Sequence, residues 1–140
     1  MNNNTSVLAL DYGDKRVGLA LASLTAKIAS PYTTLINDSN FYNNLKKIIE
    51  KESITAIIVG YPRGLDGQIT DQTKKVDNFI ESLKLFRVKI ISQDETLTSI
   101  KAENELQSRK KGFNKVEVDA LAACYILEDW LNSLSNERLA

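Results

Sequence analysis

An N-terminal hairpin pattern constrains the fold of this chain more than any other feature of its sequence. An apolar run, VLAL at residues 7–10, ends on Asp11, and a second apolar run, VGLALA at residues 17–22, follows the short stretch YGDKR. Two aliphatic runs around a glycine-containing turn predict an antiparallel β-hairpin. A buried hairpin would be simpler without a carboxylate, so Asp11 is the first candidate for a functional role.

Short strands and amphipathic helices continue after the hairpin. A third strand is predicted around Lys27–Ser30, before Pro31, and a first helix from Ser39 onward with Asp38 or Ser39 as its N-cap. The continuous apolar run Thr55–Gly60 is typical of a central strand that is covered on both faces.

The C-terminal half alternates in the same way. A second amphipathic helix is predicted behind the caps Thr70 and Asp71, a strand at Val88–Ser92, and a helix from about Thr98 to Ser108. The last helix should begin at the capping-box pattern of Asn114 and Glu117 and end at about Leu134.

The predicted order of elements is βββαβαβαα. It indicates an α/β fold with a mixed five-stranded sheet, in which three antiparallel strands are followed by parallel strands and helices flank the sheet. A length of 140 residues predicts a single domain that spans residues 1–140.

Composition excludes several classes of chemistry. The chain has no histidine, which excludes Ser-His-Asp triads, Cys-His dyads and His-ligated zinc. Its one cysteine, Cys124, excludes an internal disulfide, suits a reducing cytosol and is interpreted as a buried small apolar residue. Positive and negative side chains both number 18, so an anionic partner would have to be held by a local patch.

Nothing in the pattern indicates a membrane protein. The first residues, MNNNTS, are polar and do not resemble a signal peptide, and no run approaches the ~20 apolar residues of a membrane span. We therefore expect a cytoplasmic protein with no membrane partner.

Three acids occupy positions where a site would be built. Asp11 ends the first predicted strand, Glu95 follows the last one, and Asp119 lies in the second turn of the last helix. Ligands of open α/β sheets collect outside the carboxyl ends of the strands. The helix around Asp119 carries small residues that would let its backbone lie close to the sheet: Ala120, Ala122 and Ala123.

Three neighbouring carboxylates would repel one another unless a cation neutralised them. Oxygen ligands are those that Mg²⁺ or Mn²⁺ accepts, and these ions suit phosphate chemistry. The pattern predicts metal-assisted attack of water on a phosphodiester.

Each acid also has an ordinary interpretation when it is taken alone. Asp11 could initiate an Asx-type turn, and Glu95 could be an acid favoured by the dipole of a following helix. Asp119 could be a solvated residue near a helix start. The flanking motifs are what join the three.

Four ordered motifs resemble the YqgF family of small bacterial RNase H-like proteins, which are described as Holliday junction resolvases and as pre-16S ribosomal RNA nucleases. The similarity extends from about Val7 to Leu131. The motifs are LDYGDKRVG at residues 10–18, VGYPRGLDG at 59–67, DETLTS at 94–99 and VDALAACYILEDWL at 118–131.

The resemblance implies an RNase H-like fold, Mg²⁺ or Mn²⁺ as cofactor, and a catalytic, metal-binding triad of Asp11, Glu95 and Asp119. It further implies hydrolysis of phosphodiesters in 5′-end maturation of pre-16S rRNA. Two positions depart from the family pattern: Ala22-Ser23 replaces the usual Ser-Asp, and Thr96 replaces a frequent Arg.

Cations near the three acids are candidate nucleic-acid contacts. Lys15 and Arg16 follow Asp11 and are interpreted as phosphate contacts, although an exposed Lys-Arg pair is more often only solvated. Arg63 lies in a glycine-rich loop where main chain could approach a phosphate. A basic cluster precedes Asp119 and could hold a backbone: Arg109, Lys110, Lys111 and Lys115.

Three further functions remain open from the sequence. A resolvase of branched DNA would use the same chemistry, and its paired cuts would need a homodimer, whereas the rRNA nuclease could be a monomer. A non-catalytic RNA-binding assembly factor is a second alternative. An actin-like ATPase is disfavoured because its two lobes need a longer chain.

Overall fold

The computed structural model describes residues 5–62, 70–94 and 115–139. It places five strands and three α-helices in these ranges, and a short 3₁₀ turn, Lys84–Phe86, follows the second helix. The elements in chain order are β1 Ser6–Asp11, β2 Arg16–Ser23, β3 Ala29–Ile36, α1 Phe41–Lys51, β4 Ile54–Tyr61, α2 Asp71–Leu83, β5 Lys89–Asp94 and α3 Lys115–Leu139.

The strands form one mixed sheet in the order β3-β2-β1-β4-β5. The first three strands are antiparallel neighbours, and β4 and β5 run parallel to β1. This confirms the predicted hairpin and the predicted mixed five-stranded sheet. The carboxyl ends of β1, β4 and β5, together with the start of β2, therefore lie at the same end of the sheet, viewed along the strands.

Helices cover the sheet on both faces. Leu8 and Leu10 of β1 point to the face where α1 and α2 pack, whereas Val7 and Ala9 point to the face covered by α3. Every side chain from Val7 to Leu10 is at most 1% exposed. The uninterrupted apolar run of β1 is thus explained by burial on two sides.

The third strand is longer than predicted. It was expected to stop before Pro31, but β3 runs from Ala29 to Ile36 and includes this proline. Proline cannot donate a ladder hydrogen bond, so it is tolerated at a sheet edge, where β3 lies among the described strands. The register shifts between Leu19 and Ala20 of β2 opposite this point, which accommodates an extra residue in β3.

The helix starts match the sequence signals in different degrees. Thr70 caps α2 in a reciprocal capping box with Thr73, as its position predicted. The predicted caps of α1 were wrong, because the N-cap is Asn40 and it makes no side-chain cap bond. Asp38 instead accepts a hydrogen bond from the Asn40 amide at 2.9 Å, within the turn that precedes the helix.

The last helix begins at Lys115, directly after the predicted cap Asn114, which itself lies outside the described residues. It ends at Leu139 rather than near Leu134, because no glycine or proline stops it there. The helix predicted at 98–108 lies outside the described residues. Cys124 is 5% exposed on the inner side of α3, which agrees with its interpretation as a packing residue.

Among the described residues, the structure contains no helix that is long and apolar enough to cross a membrane.

Candidate active site

Asp11 is the last residue of β1 and is half-buried. Side chains alternate along a strand, so Asp11 shares the face of Val7 and Ala9, which is the face covered by α3. In the sheet it lies opposite Gly18 of β2. Directly opposed residues of an antiparallel pair have their Cα atoms about 4.5–5.5 Å apart. A segment that packs against Gly18 therefore also lies close to the backbone of Asp11.

Gly18 is a point of close contact between α3 and the sheet. A Cβ atom added to Gly18 would collide with the carbonyl group of Asp119 and would lie 2.9 Å from the amide nitrogen of Ala120. Only glycine allows this approach of two backbones. The absence of a side chain at Gly18 thus brings the second turn of α3, and Asp119 with it, beside Asp11.

Asp119 forms an ion pair across the elements. The Nε of Arg16 donates to Oδ2 of Asp119 at 2.9 Å, and the two side chains are 27% and 26% exposed. Arg16 is the first residue of β2, at the same edge of the sheet as Asp11. The positive charge of Arg16 therefore balances the negative charge of Asp119, one acid of the predicted triad.

The turn between Asp11 and Arg16 is held from β3. Asn37, one residue past β3, donates its side-chain amide to the carbonyl of Gly13 at 2.9 Å and its backbone amide to the carbonyl of Lys15 at 2.9 Å. A Cβ at Gly13 would lie 2.5 Å from the carbonyl oxygen of Arg16, so the tight turn needs glycine here. Asn37 thereby fixes the backbone from which Arg16 projects.

The same turn is also tied to α2. Lys75 donates to Oδ2 of Asp14 at 3.0 Å, and this hydrogen bond, helped by the charge of Asp14, raises the pKa of Lys75. The ring of Tyr12 packs against Phe79 with centroids 4.6 Å apart. Tyr12 is thus a packing residue in this structure.

Sequence reasoning did not single out Asn37 or Lys75. Both act on the turn through contacts that bridge distant parts of the chain, 24 residues for Asn37 and Gly13 and 61 for Lys75 and Asp14. No local motif carries such a signal. The sequence therefore indicates the turn but not the groups that hold it.

The third acid and most of the basic candidates lie outside the described residues. β5 ends at Asp94, whose partner in β4 is Tyr61, and Glu95 follows it directly in the sequence. Lys15 is exposed in the turn before β2. Backbone is described for Lys115 at the start of α3, but not its side chain. The candidates outside the described residues are Arg63, Glu95, Thr96, Arg109, Lys110 and Lys111.

The departure at Ala22-Ser23 lies away from the acids. Ser23 ends β2 opposite Ser6, at the other end of β1 from Asp11, and five residues of strand separate them by about 17 Å. Its Oγ accepts hydrogen bonds from the amides of Thr25 and Ala26, both at 3.1 Å. Ser23 therefore shapes the β2–β3 turn and does not contact the Asp11 end of the strand.

The donors at the Asp11 end fit a hard divalent cation. Asp11 and Asp119 supply carboxylate oxygens on one face of one sheet edge, which are the ligands that Mg²⁺ and Mn²⁺ prefer. Among the described residues no group of three acidic, histidine or cysteine side chains is assembled, and Glu95 is not among those residues. Two acids of the predicted triad thus belong to backbone segments that both lie next to Gly18.

Comparison with known proteins identifies relatives of the whole chain. A family model described as "RuvX: Holliday junction resolvase" matches residues 5–133. A protein of Thermoanaerobacter pseudethanolicus is 36% identical over 137 residues, which cover 94% of this chain and 99% of the relative. A protein of Rickettsia conorii is 39% identical over 139 residues, which cover 95% and 90%. Both relatives carry the name "Putative pre-16S rRNA nuclease".

Solved structures show the same fold at low sequence identity. RuvC of T. thermophilus, solved with a Holliday junction substrate, superposes with a TM-score of 0.58 at 9% identity and covers 94% of this chain and 96% of its own. The resolvase of Fowlpox virus, solved with Holliday junction DNA, gives 0.56 at 13% identity and covers 92% and 98%. The fold is therefore RNase H-like, as the resemblance of the four motifs implied.

Proposed function

Because the chain belongs to the RuvX family of Holliday junction resolvases, the family also called YqgF, we propose that it is a divalent-metal-dependent endonuclease that hydrolyses phosphodiester bonds. Its proposed substrate is the 5′ end of pre-16S rRNA. The support for RNA is that relatives 36–39% identical over nearly the whole chain are named for that activity. The proposal covers residues 1–140 as one nuclease domain that acts in the cytoplasm.

The observation that carries the proposal is the contact of β2 and α3 at Gly18, which pairs with Asp11 of β1. It places Asp119, from the far end of the sequence, beside the strand that ends in Asp11. We assign Asp11, Asp119 and Glu95 as the residues that would hold Mg²⁺ or Mn²⁺. The bound ion would activate water and neutralise charge on the phosphate oxygens.

The chain's own residues would orient the phosphate. Lys15 is exposed and Arg16 projects at the edge of the site, so both can approach a substrate phosphate from the β1–β2 turn. The turn is fixed by Asn37, which limits the freedom of these two cations. Further backbone contacts are proposed for the basic residues Arg63, Arg109, Lys110, Lys111 and Lys115.

Substitution of Asp11 tests the proposal directly. Asp11→Asn keeps the size of the side chain and removes the charge that a metal ligand needs. Cleavage of an RNA that spans the 16S 5′ end, measured with Mn²⁺, should fall by more than the ~10–100-fold that loss of an outer-shell partner costs. Unchanged cleavage would remove the case for the site.

Asp14→Asn is a matched control for that experiment. It makes the same chemical change three residues away, but Asp14 is exposed and pairs with Lys75 of α2. Its cleavage rate should stay close to that of the wild type. Equal losses in both variants would indicate a general effect of charge in the turn.

A four-way DNA junction is the second candidate substrate, because the family is named for it. Paired cuts at a junction require two active sites, so this function predicts a homodimer. Junction cleavage measured beside RNA cleavage, with the mass in solution, separates the two. A monomer that cuts RNA and leaves junctions intact would exclude this candidate.

A further inference from the structure

We infer that Arg16 is the resident counter-ion of Asp119 and that it releases this carboxylate when a divalent cation binds. The inference rests on the proposed function, since it concerns the same site, and it adds an ordered exchange of cations there. It starts from the ion pair of Arg16 Nε and Asp119 Oδ2 at 2.9 Å.

Both partners of the ion pair are fixed at their backbones. Arg16 opens β2, where it is paired with Ile36 of β3, and the preceding turn is held by Asn37. The backbone of Asp119 is packed on Gly18, so α3 cannot withdraw without leaving the sheet. The two side chains, in contrast, can rotate without breaking any of these backbone contacts. A change of partner at Asp119 therefore means rotation of the Arg16 side chain and not movement of an element.

Electrostatics makes the guanidinium and the ion competitors. Asp119 is the carboxylate that pairs with Arg16, and its side chain is only 26% exposed. A dication at this carboxylate would stand within a few ångströms of the guanidinium, where repulsion is weakly screened. The pair also restrains the Asp119 side chain in the metal-free protein.

Release of Asp119 would give Arg16 its second role. A guanidinium binds a carboxylate and a phosphate with the same forked geometry, so the freed side chain can transfer to a substrate phosphate. Arg16 is thus a positioning residue for Asp119 before the ion arrives and a proposed phosphate contact after it. Sequence alone suggested only the second role.

Calorimetric titration with Mn²⁺ tests the competition without any turnover. Arg16→Gln should bind Mn²⁺ about 10-fold more tightly than the wild type, because the ion no longer displaces a charge. Lys15→Gln is the matched control. It also removes one positive charge, but from an exposed side chain at the position next to Arg16. Its affinity should change by less than about 2-fold, since exposed charges are screened.

Other outcomes overturn the inference in distinguishable ways. Equal or weaker Mn²⁺ binding by Arg16→Gln would mean that Arg16 supports the ion or ignores it, and the proposed nuclease would stand. Equal gains in Arg16→Gln and Lys15→Gln would also overturn it, because the effect would be general. An Asp119→Asn protein that binds Mn²⁺ as the wild type does would remove the metal site and the proposed function together.

A second measurement uses the wild-type protein, so it does not depend on a variant folding. The Arg16 Nε–H group, paired with Asp119, should give a protected ¹⁵N-resolved NMR signal in metal-free protein. Saturating Mg²⁺ should shift this signal and speed its exchange with water. A signal that is unchanged at saturation would show that the ion pair persists and would overturn the exchange.

Discussion

The two faces of the sheet are built from the same strands but differ in how many of their side chains are small. The face under α1 and α2 is filled by large residues, among them Leu8, Leu10, Phe41 and Phe79. The face under α3 includes larger residues such as Ile58 and Leu127, but many of its positions are small: Ala9, Ala20, Ala22, Ala56 and Gly18 on the strands and Ala123 on the helix.

The difference separates stability from chemistry. Large side chains keep α1 and α2 at a distance from the strands and bury much apolar area, which contributes to the driving force for folding. Small side chains let the backbone of α3 touch the sheet, so a carboxylate on the helix can reach a strand end. Because side chains alternate along a strand, the same strand contributes to the core under α1 and α2 and to the close contact with α3.

The largest expected effect comes from filling the close contact. Gly18→Ala places a Cβ against the carbonyl of Asp119, so α3 must shift away from β2. We expect a loss of about 3 kcal/mol in unfolding free energy and loss of cleavage, because the two acids separate. Denaturant unfolding and RNA cleavage measure both, and a fully active variant would break the assignment of the two faces.

A smaller pair of changes compares the faces on one strand. Ile57 and Ile58 are neighbours in β4, are both fully buried and point to opposite faces. Ile57→Val and Ile58→Val should each cost about 0.5–1.5 kcal/mol of stability. Only Ile58→Val, on the α3 face, should also lower the cleavage rate of folded protein, by a few-fold, because small misplacements of catalytic groups are costly. Equal rates would contradict the division.

The smallest effect on stability is expected from loss of a hydrogen bond on the α1 side of the sheet. Tyr32 of β3 donates to Glu52 at 2.9 Å, and partial burial, together with this bond, raises the pKa of Tyr32 above 10.0. Tyr32→Phe should cost about 0.5 kcal/mol at pH 7 and leave cleavage unchanged.

The pH dependence of that loss has a defined sign. A raised pKa means that the folded state holds the phenol proton more tightly, so the contribution is complete below pH 10.0 and disappears as the pH rises through the folded-state value. The stability difference between wild type and Tyr32→Phe should therefore shrink in alkaline solution. A difference that grows there would contradict the hydrogen bond to Glu52.

Sequence periodicity predicted the elements well because burial dictates it. The run of residues 7–10, the central strand and the capped helix α2 each carry a local signal. The predicted end of β3 before Pro31 was wrong. β3 is an edge strand of the described sheet, and an edge strand tolerates a proline that a central strand would not. Local rules could not know which strand would be outermost.

The site was only partly accessible from sequence. Strand and helix ends identified Asp11 and Asp119 as neighbours in principle, but the ion pair with Arg16 depends on a separation of 103 residues. The anchors of the turn, Asn37 and Lys75, have the same character. Their partners are set by the packing of the whole sheet, which no motif records.

The proline in β3 has a consequence for crowded solutions. An outermost strand can form main-chain hydrogen bonds with a strand of another chain. A long and regular edge strand therefore promotes aggregation. Pro31 lacks an amide hydrogen, and the irregular pairing beside it interrupts the ladder. Pairing of β3 with another copy would therefore be interrupted at Pro31, which opposes extension of the sheet along this border of the described strands.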